Sequence, residues 1–174
     1  LWPDRVAVEI ADADRCQQIS YAALADMTRA MAAGLQAIDP QPQSRVGICA
    51  YNNFEHLLAW LGCFAAGKVW VPLNPRNGVE ELNRIIDVTD PSVIIFDADC
   101  ADKFDCKTAQ LISANGTHAR ADDHIDDMLD RYKGAQPQTF QASPDDLQAL
   151  KFTSGSTGMP KGVMQSYRVF NSCI

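Results

Sequence analysis

Long apolar runs are missing from this sequence: no stretch approaches the roughly 20 residues that a helix needs to span a bilayer. The chain does not open on a basic segment followed by an apolar one, so no secretory signal is expected. Histidine is scarce, with three residues (His56, His118 and His124), and these do not cluster with any of the six cysteines. No C-x-x-C pair occurs either, so four converging zinc ligands are not in the pattern and no metal site is expected. Positive charge is also short. Lys and Arg number 15 against 22 Asp and Glu, a net −7, which argues against a nucleic-acid partner and against an anionic membrane surface. A single Lys with converging backbone N–H groups can still dominate an anion site in such a chain. Repeats and low-complexity tracts are absent.

What remains is an ordinary globular composition, 47% apolar and 21% charged over 174 residues, enough for one well-cored domain. A cytoplasmic protein is expected. The opening "LWPDRVAVEI" lacks a Met, which leads to the expectation of a piece of something longer. Cys49 and Cys63 fall in apolar runs, where Cys acts as a small hydrophobe. Cys100 and Cys106 are close enough in sequence for a disulfide, which a cytosolic composition disfavours.

Strand and helix signals alternate along the chain. In "SYAALADMTRAMAAGLQAI", Leu24, Met27, Met31, Leu35 and Ile38 form a helical stripe, with Ser20 as N-cap and Pro40 as the stop. "RVGICA" reads as a buried strand. "FEHLLAWLGCFAAG" reads as an apolar helix ending at a left-handed Gly67, and "KVWVPL" as the next strand. Val79, Leu82, Ile85 and Ile86 make another helix face, ended by Asp90-Pro91, before the strand "SVIIF". "AQLISA" suggests a short strand with a short helix before it, and "DDHIDDMLDRY" a helix with an acidic outer face. The segment 136–146 reads as a surface loop, and "LQALKFT" as a strand. Buried strands separated by helices predict an α/β fold: a mostly parallel sheet flanked by helices on both faces. Ligands of such sheets gather at the carboxyl ends of the strands.

At one such end lies "KFTSGSTGMPKGVM", Lys151 to Met164. Gly155, Gly158 and Gly162 permit close backbone approach to a ligand. Thr153, Ser154, Ser156 and Thr157 offer hydroxyl donors, and Lys161 supplies a point charge on a flexible stem, stiffened by Pro160 before it. Together they suit an oxyanion cradle for a polyphosphate. The pattern is not G-x-x-x-x-G-K-[ST]: Met159 and Pro160 intervene before Lys161, no hydroxyl residue follows it, and "GVMQ" reads as a strand. The phosphates would be held by a hairpin-like loop and not by a helix terminus.

"FTSGSTGMPKG" is similar, nearly letter for letter, to the phosphate-binding signature of the adenylate-forming superfamily, which includes acyl-CoA synthetases, peptide-synthetase adenylation domains and firefly-type luciferases. "ISYAALADMTRAMAAGL", "SRVGICAYNNFEHLLAWLGCFAAGKVWVPLNP" and "EELNRIIDVTDPSVIIFD" resemble the family's preceding elements. The resemblance implies that residues 1–174 form the N-terminal α/β subdomain of the acyl-CoA synthetase fold. It implies an enzyme that joins a small carboxylic acid to ATP, with Mg²⁺, as an acyl-adenylate, then thioesterifies coenzyme A. Thr153, Ser154, Gly155, Ser156, Thr157 and Gly158 would wrap the β- and γ-phosphates. Lys161, the catalytic residue in this reading, would offset the charge on departing pyrophosphate. The acyl-CoA branch and fatty-acid metabolism are favoured on overall similarity. The alternatives are an adenylation domain loading a carrier protein, or a non-catalytic nucleotide-binding or interaction module. The family's adenine, ribose and Mg²⁺ ligands and its catalytic C-terminal domain would lie beyond Ile174. The chain alone is therefore expected to be inactive, and its exposed apolar face to favour a homodimer.

Where many relatives carry His, six residues after the signature Lys, this sequence has Tyr167. Its plain reading is a packing aromatic at a helix start. Trp60 and Trp70 read as core aromatics, and His56 as a surface or interface residue. The Asp122, Asp123, Asp126, Asp127 and Asp130 series reads as a solvated helix face, since it lacks the Gly and spaced Glu of a calcium loop.

Overall fold

The computed structural model describes residues 2–12, 15–153 and 161–172. Its elements are two strands, β1 (Val6–Asp12) and β2 (Arg15–Ser20), then helix α1 (Tyr21–Ile38), β3 (Arg45–Cys49), α2 (Phe54–Ala65), β4 (Val69–Pro72) and α3 (Val79–Thr89). There follow β5 (Val93–Phe96), a 3₁₀ helix (Ala98–Lys103), β6 (Gln110–Ser113), β7 (Asp123–His124), α4 (Ile125–Arg131), β8 (Leu147–Thr153), β9 (Lys161–Ser166) and α5 (Tyr167–Asn171). The short helix expected before "AQLISA" is the 3₁₀ helix.

A seven-stranded sheet runs in the order β7-β6-β5-β3-β4-β8-β9. All its neighbours are parallel except β8 and β9. Side chains alternate between the faces of a strand, and two cores result. On one face Val46, Ile48, Val93, Ile95 and Ile112 meet Met31 and Leu35 of α1, Leu58 and Cys63 of α2, and Ile125 and Met128 of α4. On the other, Cys49, Val71, Ile94, Phe96 and Leu111 meet Leu82, Ile85 and Ile86 of α3 and Cys100 of the 3₁₀ helix. The doubly covered parallel sheet expected from the sequence is the fold observed.

The helix ends follow from local chemistry. The Ser20 hydroxyl accepts from Ala23 N at 3.2 Å, and the Asn53 side-chain Oδ1 accepts from His56 N at 2.8 Å, each satisfying a first-turn donor. Gly67 has φ of 71°. Its N–H donates to Phe64 O and that of Lys68 to Cys63 O, the paired bonds that close a helix through a left-handed residue. The β1–β2 hairpin was not anticipated. It is a separate two-stranded antiparallel sheet, joined to the start of α1 by Tyr21 N to Arg5 O and Ala22 N to Pro3 O.

The acidic series divides. Asp122 accepts from Leu111 N at 2.8 Å, and Asp123 belongs to β7 and takes two hydrogen bonds from Arg131. Asp126, Asp127 and Asp130 alone form the exposed face of α4. Among the described residues the cysteines are free thiols. Cys100 is buried beside Cys49, whereas the Cys106 sulfur lies 3.7 Å from Thr108 Oγ1.

Candidate functional site

The order β5-β3-β4 reverses direction at β3: the chain leaves β3 through α2 to reach β4, then returns through α3 to β5. A crevice forms outside the carboxyl ends of strands at such a reversal. Asp97 lies at this end of the sheet, immediately after β5, and is 2% exposed. Its carboxylate accepts from Tyr51 N at 2.7 Å and from the Asn53 amide at 3.0 and 3.2 Å, locking the β3–α2 loop to β5. His56, expected as a surface or interface residue, is half-buried, with its Nδ1 3.1 Å from Ala50 O and 3.2 Å from Tyr51 O. These residues brace the loop. The sequence offered no local signal for Asp97, whose partners lie more than 40 positions away.

The strands that flank the glycine-rich stretch, β8 and β9, lie farther along the same sheet. β8 joins the parallel sheet through the pair Trp70↔Ala149 and then pairs antiparallel with β9: Leu150↔Met164, Lys151↔Val163, Phe152↔Gly162 and Thr153↔Lys161. Of the residues assigned to phosphate binding, Thr153 and Lys161 therefore stand directly opposite each other at the mouth of the hairpin, both exposed. Ser154, Gly155, Ser156, Thr157 and Gly158 lie outside the described residues. A strand follows Lys161, as the sequence led us to expect.

The hairpin has two different faces. Residues opposite each other on antiparallel strands share a face, and alternate residues along a strand do too. Ala149, Lys151, Thr153, Lys161 and Val163 therefore share the face of Trp70. On that face the Lys151 ammonium lies 5.6 Å from the centre of a Trp70 ring. Trp70 packs edge-on against Trp60 and Phe64, in keeping with the core role expected for both tryptophans. On the opposite face Leu150, Phe152, Gly162 and Met164 join Arg84, Asp87, Val88 and Thr89 of α3 around an open, mostly apolar cavity of about 610 Å³. Gly162 eases the packing there: a Cβ would meet the Phe152 ring at 3.1 Å, close enough that the ring would have to shift by a few tenths of an ångström.

Tyr167 opens α5 and is half-buried, with its N–H donated to Asp146 O. Burial pushes its hydroxyl pKa up, with Cys63 and Asp146 adding to the effect. A neutral, packed phenol is the result, as read from the sequence. Lys68 was missed. It is 1% exposed, and its ammonium donates to Asp39 O, to Gln41 O at 2.7 Å and to Ser44 Oγ at 2.8 Å. All three donors are used, so this lysine ties down the loop after α1 and takes no ligand. Among the described residues no group of three or more His, Cys, Asp or Glu could hold a metal ion, and no helix is long and apolar enough to cross a membrane.

A doubly covered parallel sheet that ends at one edge in an antiparallel strand pair defines a class of α/β domain. The chain belongs to the AMP-binding enzyme family, whose model matches residues 1–173. It is 30% identical over 172 residues to phosphinothricin tripeptide synthetase PhsC of Streptomyces viridochromogenes, covering 98% of this chain and 15% of that protein. It is 29% identical over 178 residues to a Rhodococcus jostii CoA ligase acting on a methyl-dioxo-octahydroindenyl propanoate, covering 91% of this chain and 34% of that one. A fatty acyl-adenylate ligase from L. pneumophila, solved with acyl adenylate and pyrophosphate, superposes with a TM-score of 0.72 at 26% identity, covering 95% of this chain and 28% of that one. The chain thus spans only 15% and 34% of the lengths of these two curated relatives. The fold is that of the N-terminal part of adenylate-forming enzymes.

Proposed function

We propose that this chain is the phosphate-gripping front part, residues 1–174, of an ATP-dependent ligase that converts a carboxylic acid to its acyl-adenylate and then to a thioester of coenzyme A. The observation that carries the reading is the hairpin at the sheet's carboxyl rim, with Thr153 facing Lys161, in a member of the AMP-binding family. Thr153 and Lys161, with Ser154, Gly155, Ser156, Thr157 and Gly158, hold the β- and γ-phosphates of MgATP. Lys161 stabilises the negative charge that builds on pyrophosphate as the carboxylate attacks the α-phosphate, an electrostatic role set before the bond breaks. Mg²⁺ arrives with ATP as substrate and screens the phosphate charge. Among the described residues no group of three or more His, Cys, Asp or Glu could hold that ion. The protein acts in the cytoplasm on a fatty or other acyl substrate.

A relative named as a CoA ligase supports coenzyme A as acceptor. A relative named as a tripeptide synthetase supports a second reading, in which the adenylate passes to a carrier protein. In the longer enzyme, Lys161→Ala is expected to slow adenylate formation by about 100-fold and thioester formation from supplied adenylate much less. Equal loss in both half-reactions would overturn the leaving-group role. Pyrophosphate release by the 174-residue chain alone would overturn the assignment as a front part that needs its remainder.

A further inference from the structure

The phosphate signature accounts for Lys161 but leaves Lys151 without a task. Lys151 is half-buried on β8, two residues before Thr153 and on the same sheet face as Thr153 and Lys161. Neither lysine has a carboxylate partner among the described residues, where the ion pairs involve other groups. The ammonium of Lys151 rests instead on the Trp70 ring, 5.6 Å from its centre. A ring face satisfies a partly desolvated cation less well than an anion does. In a chain of net charge −7, this face of the hairpin gathers a hydroxyl and two cations that form no ion pair among the described residues.

Resting on the proposed function, the geometry points to Lys151 as a second phosphate-binding cation, parked on Trp70 in the free protein and drawn onto the ligand when it binds. Lys161 is a diagonal neighbour of Lys151 across the ladder, a position about 7–8 Å away. That spread suits a chain of linked phosphates better than a single carboxylate. The long, flexible lysine stem lets the ammonium leave the ring without moving the strand. Trp70 then has two roles: packing against Trp60 and Phe64, and holding the cation near the site until an anion arrives.

The test titrates the 174-residue chain with inorganic tripolyphosphate and follows heat and tryptophan emission together. Lys151→Met, which keeps the stem and removes the charge, is expected to weaken binding about tenfold. It should also abolish the emission change that departure of the cation from Trp70 produces. Lys151→Arg should retain both. Thermal unfolding of each variant confirms that it folds. If Lys161→Ala weakens binding while Lys151→Met leaves it unchanged, the role of Lys151 is wrong and the phosphate hairpin stands. If Lys151→Arg is as weak as Lys151→Met, packing and not charge is at work and the inference falls. If the unaltered chain shows no affinity for tripolyphosphate, the inference and the hairpin's phosphate role fall together.

Discussion

At one edge of the seven-stranded sheet, β7 contributes two residues, Asp123 and His124, and the chain turns at once into α4. At the other, β9 runs six residues from Lys161 to Ser166 with Val163 and Met164 exposed. Unpaired strand edges template association with other chains, and proteins blunt them by shortening, charging or covering them. The β7 edge is short and its Asp123 is held by Arg131 from the end of α4, while Ile125 and Met128 lock that helix into the core. The β9 edge has none of this: its only charge is Lys161, and an apolar cavity opens between it and α3. If the hairpin holds phosphates as proposed, its edge must stay accessible, and burial cannot protect what a ligand has to reach.

That comparison can be broken most sharply with one methionine from each edge. Met128 is fully buried, and its Cε lies where a Cβ on Gly34 of α1 would have to go. Met128→Ala is expected to cost about 2–5 kcal/mol, through lost transfer energy and the cavity left behind. Met164 is 72% exposed, and Met164→Ala should stay within about 0.5 kcal/mol. Urea unfolding of the two variants measures both. Similar losses would mean that the β9 edge is packed in solution, with a second copy of the chain as the first occupant to look for by light scattering.

The two edges also differed in how far the sequence disclosed them. "LQALKFT" gave β8 to the residue, because an apolar run met a glycine-rich break, and the strand after Lys161 followed from "GVMQ". β7 was read as the start of a helix, since a two-residue strand has no period of its own and Asp123 is in place only because β6 and Arg131 hold it there. The β1–β2 hairpin escaped notice for a related reason: its residues are mostly half-buried or exposed, so its alternation carries little hydrophobic contrast. In the candidate site, the residue types and their spacing singled out Thr153 and Lys161, which the ladder sets opposite each other. Lys151, Lys68 and Asp97 were not, since what matters for each is a partner brought close by the fold: Trp70, the carbonyls after α1, and the Tyr51–Asn53 loop. Local motifs are written in the chain, and such long-range partners are not.

A smaller effect separates crowding from backbone freedom at the β9 edge. Gly162 needs no left-handed torsion, and what excludes a side chain is the Phe152 ring, 3.1 and 3.3 Å from a Cβ placed there. The ring ends a side chain in the open hairpin, so it can give way. Gly162→Ala should therefore cost only about 0.5–1 kcal/mol, and the double change with Phe152→Leu should recover most of it. A loss that persists in the double variant would place the cost in the backbone. Tripolyphosphate binding should follow the same order, because the displaced ring shifts the strand that carries Lys161.

The smallest expected effect lies at the β7 edge and shows itself through pH. Hydrogen bonds from the Arg131 guanidinium hold the Asp123 carboxyl below its ordinary value, assisted by His124 N–H and opposed by partial burial. A carboxyl lowered in the folded state binds its proton less readily there than in the unfolded chain. Its stabilising contribution is complete above the unfolded value of about 3.9 and disappears as pH falls through the lower folded value. Arg131 is more than half exposed, so solvent screens the pair and the contribution is a small fraction of that of Met128. Asp123→Asn should accordingly lower the urea midpoint slightly near neutral pH and converge with the unaltered chain as pH drops below about 4. A gap that stays constant across that range would show that Asp123 acts through packing and neutral hydrogen bonds, and that the β7 edge is closed by α4 alone.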